Sequence, residues 1–304
     1  MIAFDVIAVI LDEDLDYVWW YRHVGEPADC LRVRLGRDGH SVLFAVKNQI
    51  LRISLDGQVV ESIPAPDNHH DFVELGDGTV VTLGFEEQGE GDDEILGDTV
   101  VEIAPDGSQR VVWRSLDMFP YEVNNQPDFP DLEMGWTHAN ALDYDPARDA
   151  YLVGVRNFHA VVGIDRSSGE PLWQLGGDQS DVVLPDGSTE MFFGQHQFEL
   201  SGDRLLVFDN GSDERMFSEA VEYELDLDAG TAERSWGFRA DPDLYCLAGG
   251  DVTRLPTGNT LVDWSFQGRL EEVTHDGEVA RRMQFPLGAG LGYATWRADL
   301  LPVD

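Results

Sequence analysis

The chain has 304 residues, 42% of them hydrophobic, which is enough to bury a sizeable core. Its 58 acidic side chains outnumber the 20 basic ones and give a formal net charge of −38. Because such a field repels nucleic acid and anionic membranes, we predict that neither is a partner. The same charge suits high salt, where screening removes self-repulsion, so the source is either a salt-accumulating halophile or an organism in which this protein is merely acidic.

The N-terminal apolar run at residues 6–11 has no basic region before it and acidic residues directly after it. This pattern predicts a strand rather than a signal peptide, so we expect a cytoplasmic protein. No apolar segment of the sequence reaches membrane-spanning length. The two cysteines, Cys30 and Cys246, lack the Cys/His spacing that is typical of a zinc site.

Turn signals recur along the chain in two alternating sets, and this repetition is the main indication of the fold. The first set lies at 38–39, 77–78, 146–149, 201–203 and 257–258, and the second lies at 56–57, 106–107, 168–169, 228–230 and 276–277. The turns separate short runs rich in β-branched residues, which predict strands. A succession of such four-stranded units is typical of a β-propeller.

We therefore predict an all-β fold, a six-bladed β-propeller of four-stranded blades that forms a single domain over residues 1–304. The sixth blade would combine about 1–22 with about 290–300, so that strands from both termini close the ring and remove an exposed sheet edge. Seven blades is the alternative. Two rim insertions interrupt the repeat: an acidic, glycine-rich loop at about 86–97 and a candidate lid with three prolines at about 119–134.

One stretch stands out because polar residues lie at both of its ends. It predicts a strand, a tight turn and a second strand, with Thr137, His138 and Asn140 at the start and Arg156 at the end. The two ends of a hairpin lie side by side, so His138 and Arg156 should meet. A guanidinium beside an imidazole is suited to holding an oxyanion.

Comparable histidines occur at the same point of neighbouring units. His69 and His70 precede one strand, and His138 precedes the next comparable strand. Gln195 and His196 precede the one after. Equivalent positions of successive blades face the same axial channel, so we predict that these histidines converge. The other histidines, which lack this register, are interpreted as surface or turn residues: His23, His40, His159 and His275.

Several motifs, in this order, resemble the arylsulfotransferase (arylsulfate sulfotransferase) family: 69–72 (HHDF), 136–140 (WTHAN), 195–196 (QH) and 208–211 (FDNG). The resemblance extends from about residue 56 to about residue 297. It implies a six-bladed propeller that moves a sulfuryl group from an aryl sulfate donor to a phenolic acceptor. It also implies that no nucleotide sulfate donor takes part, and we predict that the protein uses no metal or other cofactor.

The resemblance further implies roles for individual side chains. His196 would be the nucleophile that carries the sulfuryl group. His138 and Arg156 would bind the sulfate oxygens, since a guanidinium can hold two of them through parallel hydrogen bonds. His70 or His69 would assist at the bridging phenol oxygen. The rest of the predicted substrate-binding set consists of Asn140, Thr137 and Gln195.

Three positions depart from the family pattern, because Gly135 replaces an acidic residue, Gln197 an aspartate and Glu219 an arginine. The last exchange would weaken sulfate binding if the side chain faced the channel. It favours a rival hypothesis, a non-catalytic propeller that binds an anionic aromatic ligand or a protein partner. A metal-dependent hydrolase or lactonase ranks third, because its candidate ligands Asp71 and Asp143 belong to no cluster with clear ligand spacing.

Overall fold

Antiparallel sheets with short connections make up the fold. The computed structural model describes residues 7–12, 16–23, 32–89, 94–121, 135–285, 291–294 and 296. Within these ranges lie five four-stranded sheets, in which strands adjacent in sequence are paired, and one two-stranded sheet. The chain divides into two compact units. The first contains Met1–Glu86, Thr99–Val112 and Arg297–Asp304, and the second contains Glu87–Asp98 and Trp113–Trp296.

The N-terminal part of the chain forms three of these sheets. The two-stranded sheet contains β1 (Ile7–Leu11) and β2 (Tyr17–Arg22). The next contains β3 (Val33–Leu35), β4 (Ser41–Val46), β5 (Gln49–Ser54) and β6 (Val59–Pro64). The third contains β7 (Asn68–Glu74), β8 (Val80–Gln88), β9 (Ile95–Ile103) and β10 (Gln109–Arg114), and a short helix α1 (Ser115–Met118) follows it.

The remaining three sheets repeat the same scheme. The first contains β11 (Ala139–Asp145), β12 (Ala150–Val155), β13 (Ala160–Asp165) and β14 (Pro171–Leu175). The second contains β15 (Phe198–Ser201), β16 (Arg204–Asp209), β17 (Glu219–Asp226) and β18 (Thr231–Phe238). The third contains β19 (Asp251–Arg254), β20 (Thr260–Asp263), β21 (Arg269–Val273) and β22 (Val279–Gln284). Among the helices that the structure describes, none has the length and apolarity to cross a membrane.

The burial of several strands matches their place in the sheet. Strands β4 and β12 are apolar runs that are buried along their whole length. The last strands, β6 and β22, are mostly exposed and carry charged side chains. Strands covered on both faces need continuous apolar sequence, whereas charges on an edge strand discourage pairing with other chains. The predicted turns supply the reversals, as at Gly57, whose φ of 83° suits glycine.

Large side chains fill the space between neighbouring sheets of the second unit. One buried cluster joins the sheet β11–β14 to the sheet β15–β18 and contains Trp173 and Val207. Another joins β15–β18 to β19–β22 and contains Phe208 and Trp264. Trp173 packs so closely on Gly163 that an added Cβ there would lie 2.4 Å from its ring. The inner strands that carry the candidate site are therefore held in a dense core.

The structure confirms an all-β β-propeller with four-stranded antiparallel blades, but it corrects the number of blades. The described part of the chain contains five complete blades rather than the six, or alternatively seven, that we predicted. The predicted N-terminal hairpin is present as β1 and β2. Of the predicted closing strand at about 290–300, residues 291–294 and 296 lie in no strand, and the others lie outside the described residues. A hairpin pattern predicts two strands but not their further partners.

The two predicted insertions have different outcomes. The loop expected at about 86–97 is shorter, because β8 continues to Gln88 and β9 begins at Ile95. Residues 90–93 of that loop lie outside the described part of the chain. Of the candidate lid at about 119–134, only residues 119–121 are described, and they lie in no strand. The role of that segment, like the assignment of one domain to residues 1–304, stays a prediction.

Candidate active site

The predicted hairpin is present as β11 and β12, and it brings two candidate residues together. Just beyond the paired strands, the amide of Arg156 donates to the carbonyl of His138 at 3.2 Å. The next amide, that of Asn157, donates to the carbonyl of Thr137, also at 3.2 Å. A 3₁₀ turn that begins at Arg156 therefore extends the hairpin and lies against the segment that contains His138.

The glycine at position 135, one of the departures from the family pattern, is explained by the lack of room for a side chain. Its φ is 89°, and an added Cβ would lie 3.1 Å from the carbonyl oxygen of Leu96. The same carbonyl accepts a hydrogen bond of 2.7 Å from the amide of Trp136. Glycine therefore allows the chain to pass close to β9 immediately before it reaches His138.

The ring of His196 is held in one orientation by Asn210. Nδ1 of His196 lies 2.8 Å from Oδ1 of Asn210. The amide nitrogen of Asn210 donates to the carbonyls of Cys246 and Gly249, both at 2.8 Å, so its Oδ1 is the atom left to face the ring. An amide oxygen only accepts, and Nδ1 must therefore carry the proton. In the neutral ring the lone pair then lies on Nε2.

The surroundings of His196 keep this ring neutral. Burial is the largest cause and the charge of Arg156 the second, and together they lower the pKa of His196 to about 3. The hydrogen bonds that the ring makes with Oδ1 of Asn210 and with the Gly194 backbone raise the pKa, but they are weaker. At neutral pH His196 is thus an uncharged imidazole with an available lone pair, the form in which a histidine acts as a nucleophile.

This low pKa predicts a specific dependence of stability on pH. Between the ordinary value of 6.5 and the folded value of about 3, the unfolded chain binds a proton that the folded chain does not. Stability should therefore fall as the pH is lowered through this window, by about 1.4 kcal/mol for each pH unit from this residue. Denaturant unfolding between pH 7 and pH 4.5 should show a steeper loss in the wild type than in His196→Gln. Parallel losses in the two proteins would contradict the buried neutral state.

Arg156 is buried, and its two terminal nitrogens meet neutral oxygen atoms. Nη1 donates to Oδ1 of Asn157 (3.1 Å) and Nη2 contacts the carbonyl oxygen of Leu247 (3.5 Å). Leu247 lies between the two residues whose carbonyls bind Asn210. One loop, residues 246–249, thus contacts Arg156 directly and His196 through Asn210. Arg156 is also close enough to His196 to influence its pKa.

The side-chain amides near His196 contact the backbone on either side of it. Asn140 donates from Nδ2 to the carbonyl of Gln195 (2.8 Å), and Gln195 donates from Nε2 to the carbonyl of Ala160 (2.7 Å). Nε2 of Gln197 reaches the carbonyl of Asn140 at 3.3 Å. The amide at position 197 supplies a donor that the family's aspartate would lack. Asn140 and Gln195 were predicted to bind substrate, and in the structure both brace the segment that contains His196.

His159 contributes to the site although the sequence pattern assigned it no role. It lies in a turn, as expected, with φ of 51°. Its Nδ1 accepts the amide of Gly194 at 2.9 Å, and its ring stacks on Phe193 with 3.8 Å between centroids. It thereby fixes the start of the segment that leads to His196. Because His159 follows a strand rather than preceding one, a rule based on register could not find it.

His69 and His70 lie in the first unit, at the start of β7. Their Nδ1 atoms are 2.8 Å apart, so one ring donates and the other accepts. His69 is 1% exposed and stacks on Phe85 at 3.9 Å, whereas His70 is only half-buried. His70 has φ of 50° and His138 has φ of 49°, which agrees with equivalent positions in two blades. The convergence of His70 with the histidines of the second unit stays a prediction.

Glu219, the third departure from the family pattern, is neutralised locally. Its carboxylate pairs with Arg234 at 2.7 Å and with Arg215 at 3.6 Å. Arg215 also pairs with the buried Asp209 at 2.7 Å. The acidic residue is therefore part of an ion-pair network at the start of β17. The sequence alone suggested an unpaired negative charge at this position, whereas in the structure the carboxylate is paired with two arginines.

Comparison with solved structures agrees with the fold. The structure is similar to a protein of unknown function from Bacteroides caccae, with a TM-score of 0.59 and 15% identity over 95% of this chain and 94% of that one. It is also similar to the β-propeller domain of Cps50 (Swd1) from Myceliophteria thermophila, with a TM-score of 0.53 and 17% identity over 92% and 81% of the two chains. An auxiliary nutrient binding protein from Bacteroides ovatus gives a TM-score of 0.51 and 8% identity over 91% and 70%. At these identities the likeness concerns the fold alone.

Sequence comparison identifies the family. No curated protein matched the sequence. Among the residues that the structure places, no group of three His, Cys, Asp or Glu side chains is arranged to hold a metal ion. The family model of the arylsulfotransferases (ASST) matches residues 3–284. Because this match spans most of the chain, the protein belongs to the arylsulfotransferase family.

Proposed function

We propose that the protein transfers a sulfuryl group from an aryl sulfate to a phenol through a covalent intermediate on His196. The observation that carries this proposal is the hydrogen bond of 2.8 Å between Nδ1 of His196 and Oδ1 of Asn210. It commits the proton to Nδ1 and leaves the lone pair on Nε2, while burial and Arg156 keep the ring uncharged. An imidazole prepared in this way needs no separate base before it attacks.

In the first half-reaction, Nε2 of His196 attacks the sulfur of the aryl sulfate in line with the ester bond. The nitrogen–sulfur bond forms as the sulfur–oxygen bond breaks, and its electron pair leaves with the phenolate, which takes up a proton. The Nδ1 proton stays on the ring, so the sulfonated imidazole is a cation joined to an anionic sulfonate. The carbonyl oxygen of Asn210 faces that Nδ1–H and stabilises the ring charge.

In the second half-reaction, the oxygen of the acceptor phenol attacks the same sulfur. The nitrogen–sulfur bond breaks, its electron pair returns to Nε2, and the proton of the acceptor replaces the one that left with the first phenol. The low basicity that keeps His196 neutral also makes it a good leaving group in this step. Because both half-reactions use one histidine, ping-pong kinetics are expected.

Arg156 and His138 are assigned to the sulfate oxygens, which gain negative charge as sulfur changes partners. The guanidinium of Arg156 is buried, and its terminal nitrogens contact the oxygens of Asn157 and Leu247. A buried cation interacts strongly with developing charge, because little water screens it. The backbone bond from Arg156 to His138 keeps the two residues adjacent.

Of the two neighbouring histidines, we assign His70 to the bridging phenol oxygen. His69 is buried and stacked on Phe85, which leaves it little access to a substrate. His70 is half-buried, and its Nδ1 is bonded to Nδ1 of His69. We assign the proton exchange with the phenol to the other ring nitrogen of His70, Nε2. The donor is then an aryl sulfate, the acceptor is a phenol, and no nucleotide or cofactor is required.

The first test mixes the purified protein with p-nitrophenyl sulfate, with and without phenol, in low and in high salt. Release of nitrophenolate that requires phenol would support the transferase. Release without any acceptor would indicate a hydrolase and contradict the proposal. If a folded protein releases nothing at either salt concentration, the non-catalytic binding protein becomes the better hypothesis.

A further inference from the structure

A closed ring of hydrogen bonds lies directly beside His138, and none of the proposed steps uses it. The ring joins Asp98 of β9, Ser115 of α1 and Thr137, which are 1%, 0% and 0% exposed. The amide of Asp98 donates to Oγ of Ser115 at 2.8 Å, and the hydroxyl oxygens of Ser115 and Thr137 are 2.7 Å apart. The hydroxyl of Thr137 donates to Oδ2 of Asp98 and completes the ring.

The chemistry of the three residues fixes the direction of every bond. A carboxylate only accepts and a backbone amide only donates, so Thr137 must give its single hydroxyl proton to Asp98. Ser115 therefore donates to Thr137, and each hydroxyl both donates once and accepts once. Hydrogen bonds of a buried network are stronger than those in water, so this ring restrains the side chains that form it. Thr137, which was predicted to bind substrate, has its hydroxyl engaged inside the protein.

The same carboxylate oxygen also holds the residue on the other side of His138. Oδ2 of Asp98 accepts the amide of Ala139 at 2.8 Å, in addition to the hydroxyl of Thr137. The two neighbours of His138 thus converge on one atom. Between them His138 has φ of 49°, a left-handed conformation that costs free energy for any residue except glycine. Such strain persists only where surrounding contacts impose it.

We propose that Asp98 is a positioning residue that holds His138 in its strained conformation and so aims its ring at the sulfate oxygens. The effect extends to Arg156, because the amides of Arg156 and Asn157 bond to the carbonyls of His138 and Thr137. The carboxylate and the 3₁₀ turn thus both form hydrogen bonds with the segment 137–139. This inference rests on the sulfate-binding role that we propose for His138 and Arg156.

Three substitutions separate positioning from general stability. Asp98→Ala removes both bonds to the neighbours of His138. Thr137→Val removes one of them and leaves the bond to Ala139. Ser115→Ala also removes one hydroxyl from the buried ring, but it keeps both bonds between Asp98 and the residues that flank His138. Ser115→Ala and Thr137→Val are therefore a matched pair, since each deletes one hydroxyl from the same network.

The test has two parts. The first measures turnover of p-nitrophenyl sulfate. The second titrates the protein with inorganic sulfate and monitors the ring resonances of His138 by NMR. His138→Gln assigns those resonances. We expect Asp98→Ala to lower kcat/KM at least about tenfold, to weaken sulfate binding and to shift the His138 signals. Thr137→Val should act in the same direction with a smaller effect, whereas Ser115→Ala should stay within about twofold of the wild type in both assays.

The outcomes separate the inference from the proposed function. If the wild type transfers no sulfuryl group, the function fails, but the sulfate titration still compares the variants. Equal losses in Thr137→Val and Ser115→Ala would overturn positioning in favour of a structural role, and so would unchanged His138 signals in Asp98→Ala. If Asp98→Ala does not fold, the matched pair decides alone, because both of its members keep the carboxylate.

Discussion

Replacing His196 by alanine is expected to lower the rate of sulfuryl transfer from p-nitrophenyl sulfate by at least about 10³-fold, because the residue forms the covalent bond. In the hydrogen bonds that the structure describes for the Asn210 side chain, His196 is the partner with a basic ring nitrogen, and the other two partners are backbone carbonyls. The substitution leaves Asn210 bonded to Cys246 and Gly249, so the loop that also contacts Arg156 should keep its place. The loss should therefore appear in kcat, while the protein remains folded.

The control for this variant is His275→Ala. His275 is exposed, and its backbone carbonyl accepts the indole N–H of Trp236 at 2.9 Å. The alanine variant keeps that carbonyl and should retain wild-type turnover. A His196→Ala protein with more than about a tenth of wild-type activity would refute the assignment of His196 as the nucleophile, since the loss of a nucleophile lowers the rate far more than tenfold.

The covalent intermediate gives this prediction a second readout. With p-nitrophenyl sulfate and no acceptor, the wild type should gain the mass of one SO₃ group and release one equivalent of nitrophenolate in a burst. The added mass should map to a peptide that contains His196, and it should disappear when phenol is added. Labelling of a different residue would refute the role of His196 even if the alanine variant were inactive.

Much of this site follows from local sequence. The hairpin that joins His138 to Arg156 was predictable because strand alternation and the turn at 146–149 fix which residues lie side by side. The shared left-handed φ of His70 and His138 agrees with the register inferred from the repeat. Both inferences depend only on neighbours in the chain or on the period of the repeat, and both of these can be read from the sequence.

The residues that position these groups could not be predicted in the same way. Asp98 lies in a run that reads as an ordinary strand, 41 residues before Ala139, whose amide it accepts. Asn210 belongs to a motif that carries the family resemblance, but its function depends on carbonyls 36 and 39 residues further along. Long-range pairing of this kind leaves no periodic signal. The number of blades was missed for the same reason, since a hairpin pattern does not show whether β1 and β2 pair with any further strand.

Arg156→Lys is the second large effect that we expect, a loss in kcat/KM of about 10²–10³-fold toward aryl sulfates. Lysine keeps the positive charge but presents a single nitrogen, so it cannot contact Asn157 and Leu247 and two sulfate oxygens at the same time. Since a cation remains, the pKa of His196 should stay low, and the pH dependence of turnover should keep its shape. The loss should therefore come from geometry rather than from protonation of the nucleophile.

The matched control is Arg204→Lys, the same exchange at the start of β16, where the guanidinium pairs with Glu222 at 3.2 Å and is 52% exposed. An exposed ion pair contributes about 0–1 kcal/mol, so this variant should keep wild-type turnover. Near-normal rates in Arg156→Lys would make Arg156 a structural residue that ties the 3₁₀ turn to the loop 246–249. A rate that fell together with an altered pH profile would instead show that Arg156 acts mainly by lowering the pKa of His196. Only a large loss with an unchanged profile agrees with bidentate binding of the transferred sulfuryl group.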